Sequence, residues 1–361
     1  MNGRASATRA EHGQTLLLFV LSATVLLGFV AMAIDVGLFY EDRRHLQNTA
    51  DAAALAGVAE LPTNPALAKQ KAGEWAVNNG VPSSEIKSIE VRTTDFPNDT
   101  VFVEMEGNFD WIFGRVLGKT SDAVGASAAA QIGSYAGGHN MMPWAILQGD
   151  SACLDASGKA IFGMTCAVKV GAQDGIGGWR GALDFDGNGG GSSEYRDNIM
   201  DGSSDWSYCI SGEDPPPCHG TVDALAGNKV GPTGQGIDDR LAAEPTAGCD
   251  TDGNGTDDFD EVFTPTGLPT PEYSVACPNS PRIVIIPIVS FESTPIQTVT
   301  IRGWSLGYLK GYACVGGGSC NGGKGHWEVY IDMVDAAYSQ SAGFLGAYDP
   351  TSGILLRRLI E

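Results

Sequence analysis

The sequence predicts an α+β protein. A single N-terminal transmembrane helix continues into a helical rod and a small α/β module, and a β-rich, disulfide-stapled exported domain follows. Three observations predict this. Residues 15–34, "TLLLFVLSATVLLGFVAMAI", carry no charge; all eight cysteines lie beyond residue 150 in Gly-rich sequence; and alternating apolar runs recur around 86–107 and again after 280.

Twenty helical residues rising ~1.5 Å each span about 30 Å, the thickness of a bilayer's hydrocarbon core. Arg4 and Arg9 precede the run and Asp35 marks its end. Two readings compete: a retained signal-anchor, or a signal peptide cleaved after Ala33, since Ala31-Met32-Ala33 has the small-x-small pattern. The helical pattern passes the cut site unbroken and the run is long for a signal peptide, which favours the anchor. Arg43 and Arg44 beyond the span balance Arg4 and Arg9, so the charge rule gives no topology. Cysteine does. Cys153, Cys166, Cys209, Cys218, Cys249, Cys277, Cys314 and Cys320 are even in number and contain no CxxC pair. They read as a disulfide framework, which forms outside the cytoplasm. Pairing of neighbours is the simplest of the 105 arrangements eight cysteines allow. The division expected is a cytoplasmic tail (1–14), the signal-anchor (15–34), the rod and α/β module (35–135) and the exported domain (136–361).

Arg4, Arg9, Glu11 and Asp35 cancel, so the formal net charge of −21 sits on the exported part. Residues 201–261 hold fourteen acids against Lys229 and Arg240. Such a surface repels phosphate backbones, which argues against nucleic acid, and attracts divalent cations.

From Asp35 a helical pattern continues to about Glu60, with Phe39, Leu46, Ala50, Ala53 and Gly57 on one face. Ala50, Ala53, Ala54 and Gly57 form a small-residue stripe that lets another backbone approach. Its partner is this protein's own domain or a neighbouring subunit's helix. A second helix is expected over 64–79, capped by Asn64 with Pro65 in its first turn and ended by Gly80. "IKSIEVRT" and "TVFVEMEG" read as strands around the turn "DFPND". "FDWIFGRVLG" reads as a short helix, and "DAVGASAAAQI" as a strand or helix. From 136 to about 280 Gly, Pro, Ser, Asp and Cys dominate. Then "RIVIIPIVSF", "IQTVTIRGWSLGYLKGYAC", "HWEVYIDMV" and "ILLRRLIE" read as strands.

The apolar span, then "AIDVGLFY", then "LQNTADAAALAG", resembles the N-terminal signature of the TadG-like family of Tad/Flp pilus-assembly proteins over residues 13–57. More loosely, "AGNKVGPTGQGIDDRL" (226–241) resembles a Gly-Asn-x-x-Gly-Pro-Thr segment of shorter relatives. The resemblance implies a membrane protein that helps assemble or anchor Flp-type adhesive pili beside other Tad/Flp proteins, with no enzymatic activity. Leu18 stands five residues after Gly13, where prepilin peptidase substrates carry Glu. "DGSSD" (201–205) ends in Asp205 where a von Willebrand A metal site has Ser.

"DTDGNGTDDFDE" (250–261) fits D-x-D-x-N-G-x5-E in full. Asp250, Asp252 and Asn254 offer side-chain oxygens, and Gly255 allows the sharp turn. The Thr256 carbonyl, Asp258 and Glu261 complete the hard-oxygen shell that Ca²⁺ prefers. The flanks contain Pro and Gly, so an EF-hand's helices are not expected, and the calcium would be structural. A solvated acidic turn is the plainer alternative. "DFDGNGGGSSEY" (184–195) starts the same way with Asp184, Asp186 and Asn188. Tyr195 stands where the last Glu belongs, with Glu194 beside it, and a tight Gly-rich hairpin turn explains the loop as well as calcium does.

Enzyme signatures fail on context. "GWSLG" (303–307) surrounds Ser305, but no helix follows to make a nucleophile elbow. "GSCNGGKG" (318–325) has Gly325 where a phosphate loop needs Ser or Thr. His12, His45, His139, His219 and His326 are scattered, and no small-molecule substrate is implied. The competing class is a surface adhesin, with Trp179, Trp206 and Tyr208 in Gly-rich loops forming a ligand-binding face; the plainer reading, which is favoured, makes the same three residues local cores for loops that lack secondary structure.

Overall fold

The computed structural model describes residues 14–150, 152–169, 179–189, 191–203, 207–210, 218–227, 229–267, 271–315, 326–338, 343–346 and 352–360. They form two compact units. One takes in the chain up to Arg92, Val101–Ala130 and the C-terminal end; the other comprises Thr93–Thr100 and Gln131–Arg358.

The first unit is built on α1 (Gln14–Val58), a single helix of 45 residues. Its N-terminal part is long and apolar enough to cross a membrane, and nothing in the unit covers that window. The small-residue stripe lies further on. Ala50, Ala53 and Ala54 are fully buried, and α2 (Pro65–Asn78) turns Ala68, Ala72 and Ala76 inward. Asn64 caps α2 by accepting from the Leu67 N–H at 3.1 Å. A Cβ on Gly57 would lie 2.8 Å from the Ala68 carbonyl oxygen and 3.0 Å from the Ala72 Cβ. The two helices therefore meet closely on this stripe. Gly57→Val is expected to destabilise the unit by about 1–3 kcal/mol through overpacking, more than the helix propensity it gains. Thermal melting of the chain in detergent, followed by circular dichroism, checks this.

Three neighbouring strands complete the unit: β1 (Ile86–Arg92), β2 (Thr100–Asp110) and the first half of β3 (Ser121–Gly138). "DAVGASAAAQI" is thus a strand. The helix expected over "FDWIFGRVLG" is not formed as such. Phe109 and Asp110 belong to β2, and only Gly114–Leu117 makes a 3₁₀ turn. The Trp111 N–H donates to the Thr120 carbonyl at 3.0 Å, so the chain must reverse between them. That leaves room for one tight turn, closed by Gly118 at φ +84°.

The second unit is layered. One sheet contains the second half of β3, β7 (Tyr208–Cys209), β9 (Phe263–Pro265), β10 (Tyr273–Val275), β14 (Ala336–Tyr338), β15 (Gly343–Gly346) and β16 (Ile354–Leu359), with β3-β16-β14-β10-β9 as its spatial order. The other runs β4-β11-β12-β13-β5, from β4 (Ile146–Leu147), β5 (Thr165–Lys169), β11 (Ile283–Ser290), β12 (Thr298–Val315) and β13 (His326–Val334). At one end β8 (Thr221–Ala226) pairs with β12 and β6 (Trp179–Asp184) with β8. The register Ile285↔Leu306 fixes the central β11-β12 pair.

The unbroken apolar run of β11 follows from burial on both faces. Ile283 and Ile285 face one core with Trp304, Leu306 and Ile354. Val284, Ile286 and Ile288 face another with Ile331, Tyr195 and Ile237. Two helices cover that second face: α3 (Ser192–Asp201) and α4 (Val230–Leu241). The Gly-rich composition hid both. In α4 a Cβ on Gly234 would meet the Trp327 Nε1 at 2.9 Å, and one on Gly236 the Ile199 Cβ at 2.9 Å. The glycines are where the helix presses on its neighbours. Arg240 ties α4 down, donating to the carbonyls of Ile199, Met200, Pro281 and Ile283.

Disulfides join Cys153–Cys166, Cys209–Cys218 and Cys249–Cys277, with Cα–Cα distances of 5.5, 5.9 and 5.7 Å. Cys314 is also disulfide-bonded; Cys320 lies outside the described residues.

Candidate functional site

The acidic loop 250–261 follows α5 (Glu244–Ala247) and its last three residues form the start of α6 (Phe259–Val262). Each is a single turn of four residues, and the chain leaves the loop into β9, so the long flanking helices of an EF-hand are not formed. Asp258 precedes α6, and its N–H donates to Glu261 Oε2 at 2.9 Å. Gly253 and Gly255 adopt φ of +79° and +88°. Their N–H groups donate to Asp250 at 2.6 and 2.8 Å, so the loop curls around the first carboxylate. The Asn254 N–H donates to Asp252 at 2.9 Å, and the Asn254 amide donates to Asp258 at 2.8 Å. One carboxylate oxygen each from Asp250, Asp252 and Glu261 falls within a 4.8 Å cluster. The Thr251 hydroxyl and backbone N–H groups of Asp258, Thr251 and Asp252 pull the Glu261 carboxyl down to about 2. It is ionised at any physiological pH. Those bonds stabilise the loop above the unfolded value of ~4.3 and are lost as pH falls from there through about 2.

A polar cluster seats the loop on β12. The buried Glu244 pairs with Arg282 and accepts from the Asp257 N–H at 3.3 Å. Arg282 donates to the Leu309 carbonyl at 2.9 Å and lies over the Tyr308 ring. The Tyr308 hydroxyl donates to the Asp257 carbonyl at 2.8 Å. Cys249, next to Asp250, is bonded to Cys277. Sequence reasoning passed over Glu244 and Arg282, which lie 38 residues apart and carry no local motif.

The second acidic loop leaves β6 and enters α3. Asp184 is 5 % exposed; its Oδ2 accepts from the Gly189 N–H at 2.8 Å, while its Oδ1 is buried with no hydrogen-bond partner. Asp186 accepts from the backbone and side chain of Asn188 at 3.0 and 2.7 Å. The third carboxylate within 4.8 Å is Glu194. Tyr195, the residue at the motif's last position, points into the core and its hydroxyl accepts from Trp144 Nε1 at 2.9 Å. Burial pushes the Asp184 carboxyl up, with Asp186 and Asp223 adding to it. Burial and Asp186 do the same to Glu194. Both groups would be relieved by a cation.

At the end of the apolar run, Asp35 is 1 % exposed. Its carboxylate accepts from the N–H groups of Ile112 (3.2 Å), Phe113 (2.9 Å) and Gly114 (2.7 Å). The sequence showed Asp35 as a boundary and gave no sign that it holds a turn 77 residues away.

Other expectations meet plain geometry. Ser305 lies within β12, fully buried, and donates to the Leu306 carbonyl at 3.3 Å. It is not on a strand-to-helix turn. Trp179 and Tyr208 are core residues; their polar atoms go to the Ala182 and Phe185 carbonyls. The exposed aromatic face of the adhesin reading is not formed by these two. His12, Trp206, 318–325, and Ser204 and Asp205 of "DGSSD" lie outside the described residues.

Residues 13–60 match the Tad family model, "Putative Flp pilus-assembly TadE/G-like". The Tad match covers the whole of α1 and two residues past its end. No curated protein matches the chain, and no solved structure matches it. The family signature is therefore one physical object, the apolar span and the rod that carries the packed stripe.

Proposed function

We propose that this protein is a membrane-anchored, non-enzymatic component of Tad/Flp pilus assembly, its N-terminus cytoplasmic and its bulk extracytoplasmic, acting beside other Tad/Flp proteins. The coincidence of the Tad match with α1 carries the reading. The helix passes Ala31-Met32-Ala33 without a break and leaves its apolar surface uncovered, which supports retention as an anchor. Three disulfides support an oxidising compartment for the second unit. The test is electron microscopy of surface fibres in a deletion strain beside an adherence assay. Loss of both, restored by the intact gene, is expected. Normal fibres with lost adherence would favour the adhesin instead, and normal fibres with normal adherence would remove both readings.

Calcium stabilises the exported domain in this account. Asp250, Asp252, Asn254, the Thr256 carbonyl, Asp258 and Glu261 form the principal site; Asp184 and Asp186 form the second with Glu194. Asn188 serves that second loop by bonding Asp186. At 1 mM Ca²⁺ and a dissociation constant of ~10⁻⁴ M, linkage gives about 1.4 kcal/mol. A chelator should lower the melting temperature by a few degrees. Titration calorimetry should count two ions, falling to one in Glu261→Gln and one in Glu194→Gln. No heat and no melting shift in the wild type would remove the metal from the account.

A further inference from the structure

We propose that the turn between β2 and β3 is a second membrane contact, with Ile112, Phe113, Val116 and Leu117 lying in the exported-side leaflet beside α1. The proposal rests on the reading of α1 as a membrane anchor.

Hairpin tips are ordinarily polar because they face water. This one reads "WIFGRVLG", and its Ile112, Phe113, Val116 and Leu117 are exposed large hydrophobics. Val116 is 86 % exposed and Leu117 80 %. The tip does not project freely. It lies against the last part of the apolar run of α1, where an open groove of about 850 Å³ is lined by Leu27, Val30 and Ile34 from the helix and by Trp111, Phe113 and Leu117 from the turn. Leu27 precedes Asp35 by eight residues, about 12 Å of helix axis. If α1 crosses a bilayer, the turn has the same depth as that stretch.

Irregular backbone at membrane depth must have its polar groups satisfied, and seven N–H groups of this turn are. Asp35 receives the N–H groups of Ile112, Phe113 and Gly114. The N–H groups of Trp111, Val116, Gly118 and Lys119 go to the carbonyls of Thr120, Phe113, Arg115 and Gly114. One carboxylate thus ties the turn to α1 and lowers the cost of sinking three of its amides.

The occupant of the groove is lipid because the exposed apolar surface of the turn is continuous with that of the span. The turn's borders also suit a bilayer boundary. Trp111 lies part-buried at its edge, stacks on Phe39 with ring centroids 5.8 Å apart, and donates from Nε1 to Asp122 at 2.9 Å. Arg115 lies between the two apolar pairs and Lys119 follows them; both side chains are more than half exposed and pair with Asp110 and Asp122, and long basic side chains of this kind can reach headgroups with their cationic ends.

The test uses the full chain in nanodiscs of phosphatidylcholine and phosphatidylglycerol, with a nitroxide at one introduced cysteine at a time. Val25→Cys reports the span, Asn78→Cys on α2 reports water, and Val116→Cys reports the turn. Collisions with oxygen should exceed those with a nickel chelate at 116 as at 25, and the order should reverse at 78. Adding Asp35→Asn should turn the 116 label to the pattern of 78 and leave 25 unchanged. A label at 116 that follows 78, while 25 stays in lipid, overturns this proposal alone. Labels at 116 shielded from both reagents and broadened by one another would assign the groove to a second copy, and also overturn it. A label at 25 in water would remove the anchor reading and this inference with it.

Discussion

Glu244→Ala is expected to cost the second unit about 3–5 kcal/mol, the range for removing one member of a buried ion pair. Glu244 and Arg282 are both largely buried, with side-chain exposures of 6 and 12 %. The truncation leaves the guanidinium with the Leu309 carbonyl and the face of Tyr308 as its remaining partners. It also frees the Asp257 N–H, so the acidic loop loses its tie to α5 and keeps the Tyr308 bond to β12. Two effects should therefore appear together: a lower urea midpoint with unchanged slope, and weaker calcium binding by titration calorimetry. Glu244→Gln keeps the shape and the hydrogen bond from Asp257 but not the charge, and should fall between. A loss under 1 kcal/mol in the alanine variant would mean that the pair behaves as a surface ion pair.

Removing the Cys249–Cys277 bridge by a double Cys→Ser substitution is expected to cost about 3–4 kcal/mol. The bridge closes 28 residues, and the loop-closure relation gives that size for such a loop. The closed segment contains the whole acidic loop, α6 and β9, and both ends of β10 lie within it. Because Cys249 adjoins Asp250, the reduced chain should hold its carboxylates less closely and take calcium more weakly. Unfolding by urea, with and without 1 mM Ca²⁺, separates the two: the midpoint should drop, and the calcium-induced rise should shrink. An unchanged calcium response would show that the loop's own hydrogen bonds suffice to shape it.

Much of this architecture was legible from local patterns. A charge-free run continuing into a small-residue stripe can only be read as one helix, and α1 runs without interruption through both. Alternation exposed β1 and β2, and the apolar run of β11 announced a strand; that it is buried on both faces came from the packing of the two cores. What escaped was set by tertiary contact. The helix α4 carries glycines that look like loop punctuation, and only the closeness of Trp327 and Ile199 explains them. The second acidic loop was read in the register of a twelve-residue motif, which puts Tyr195 at its end. Because α3 begins at Ser192, each residue turns by about 100°, and Glu194 faces the loop while Tyr195 faces the core. The "WIFGRVLG" segment looked helical because its apolar residues are closely spaced; they belong instead to a hairpin tip. Nothing local marks Asp35 as the acceptor for that tip.

The measurement that tests the central claim most directly is complementation of the deletion strain with the anchor removed. Residues 36–361 would be exported on a cleavable signal peptide, beside the intact chain as control, and surface fibres counted by electron microscopy with secretion of the shortened chain verified by immunoblot. Fibres are expected with the intact chain and none with the released one. Full restoration of fibres by the released chain would contradict the anchor's role, since the apolar span would then contribute nothing that assembly requires.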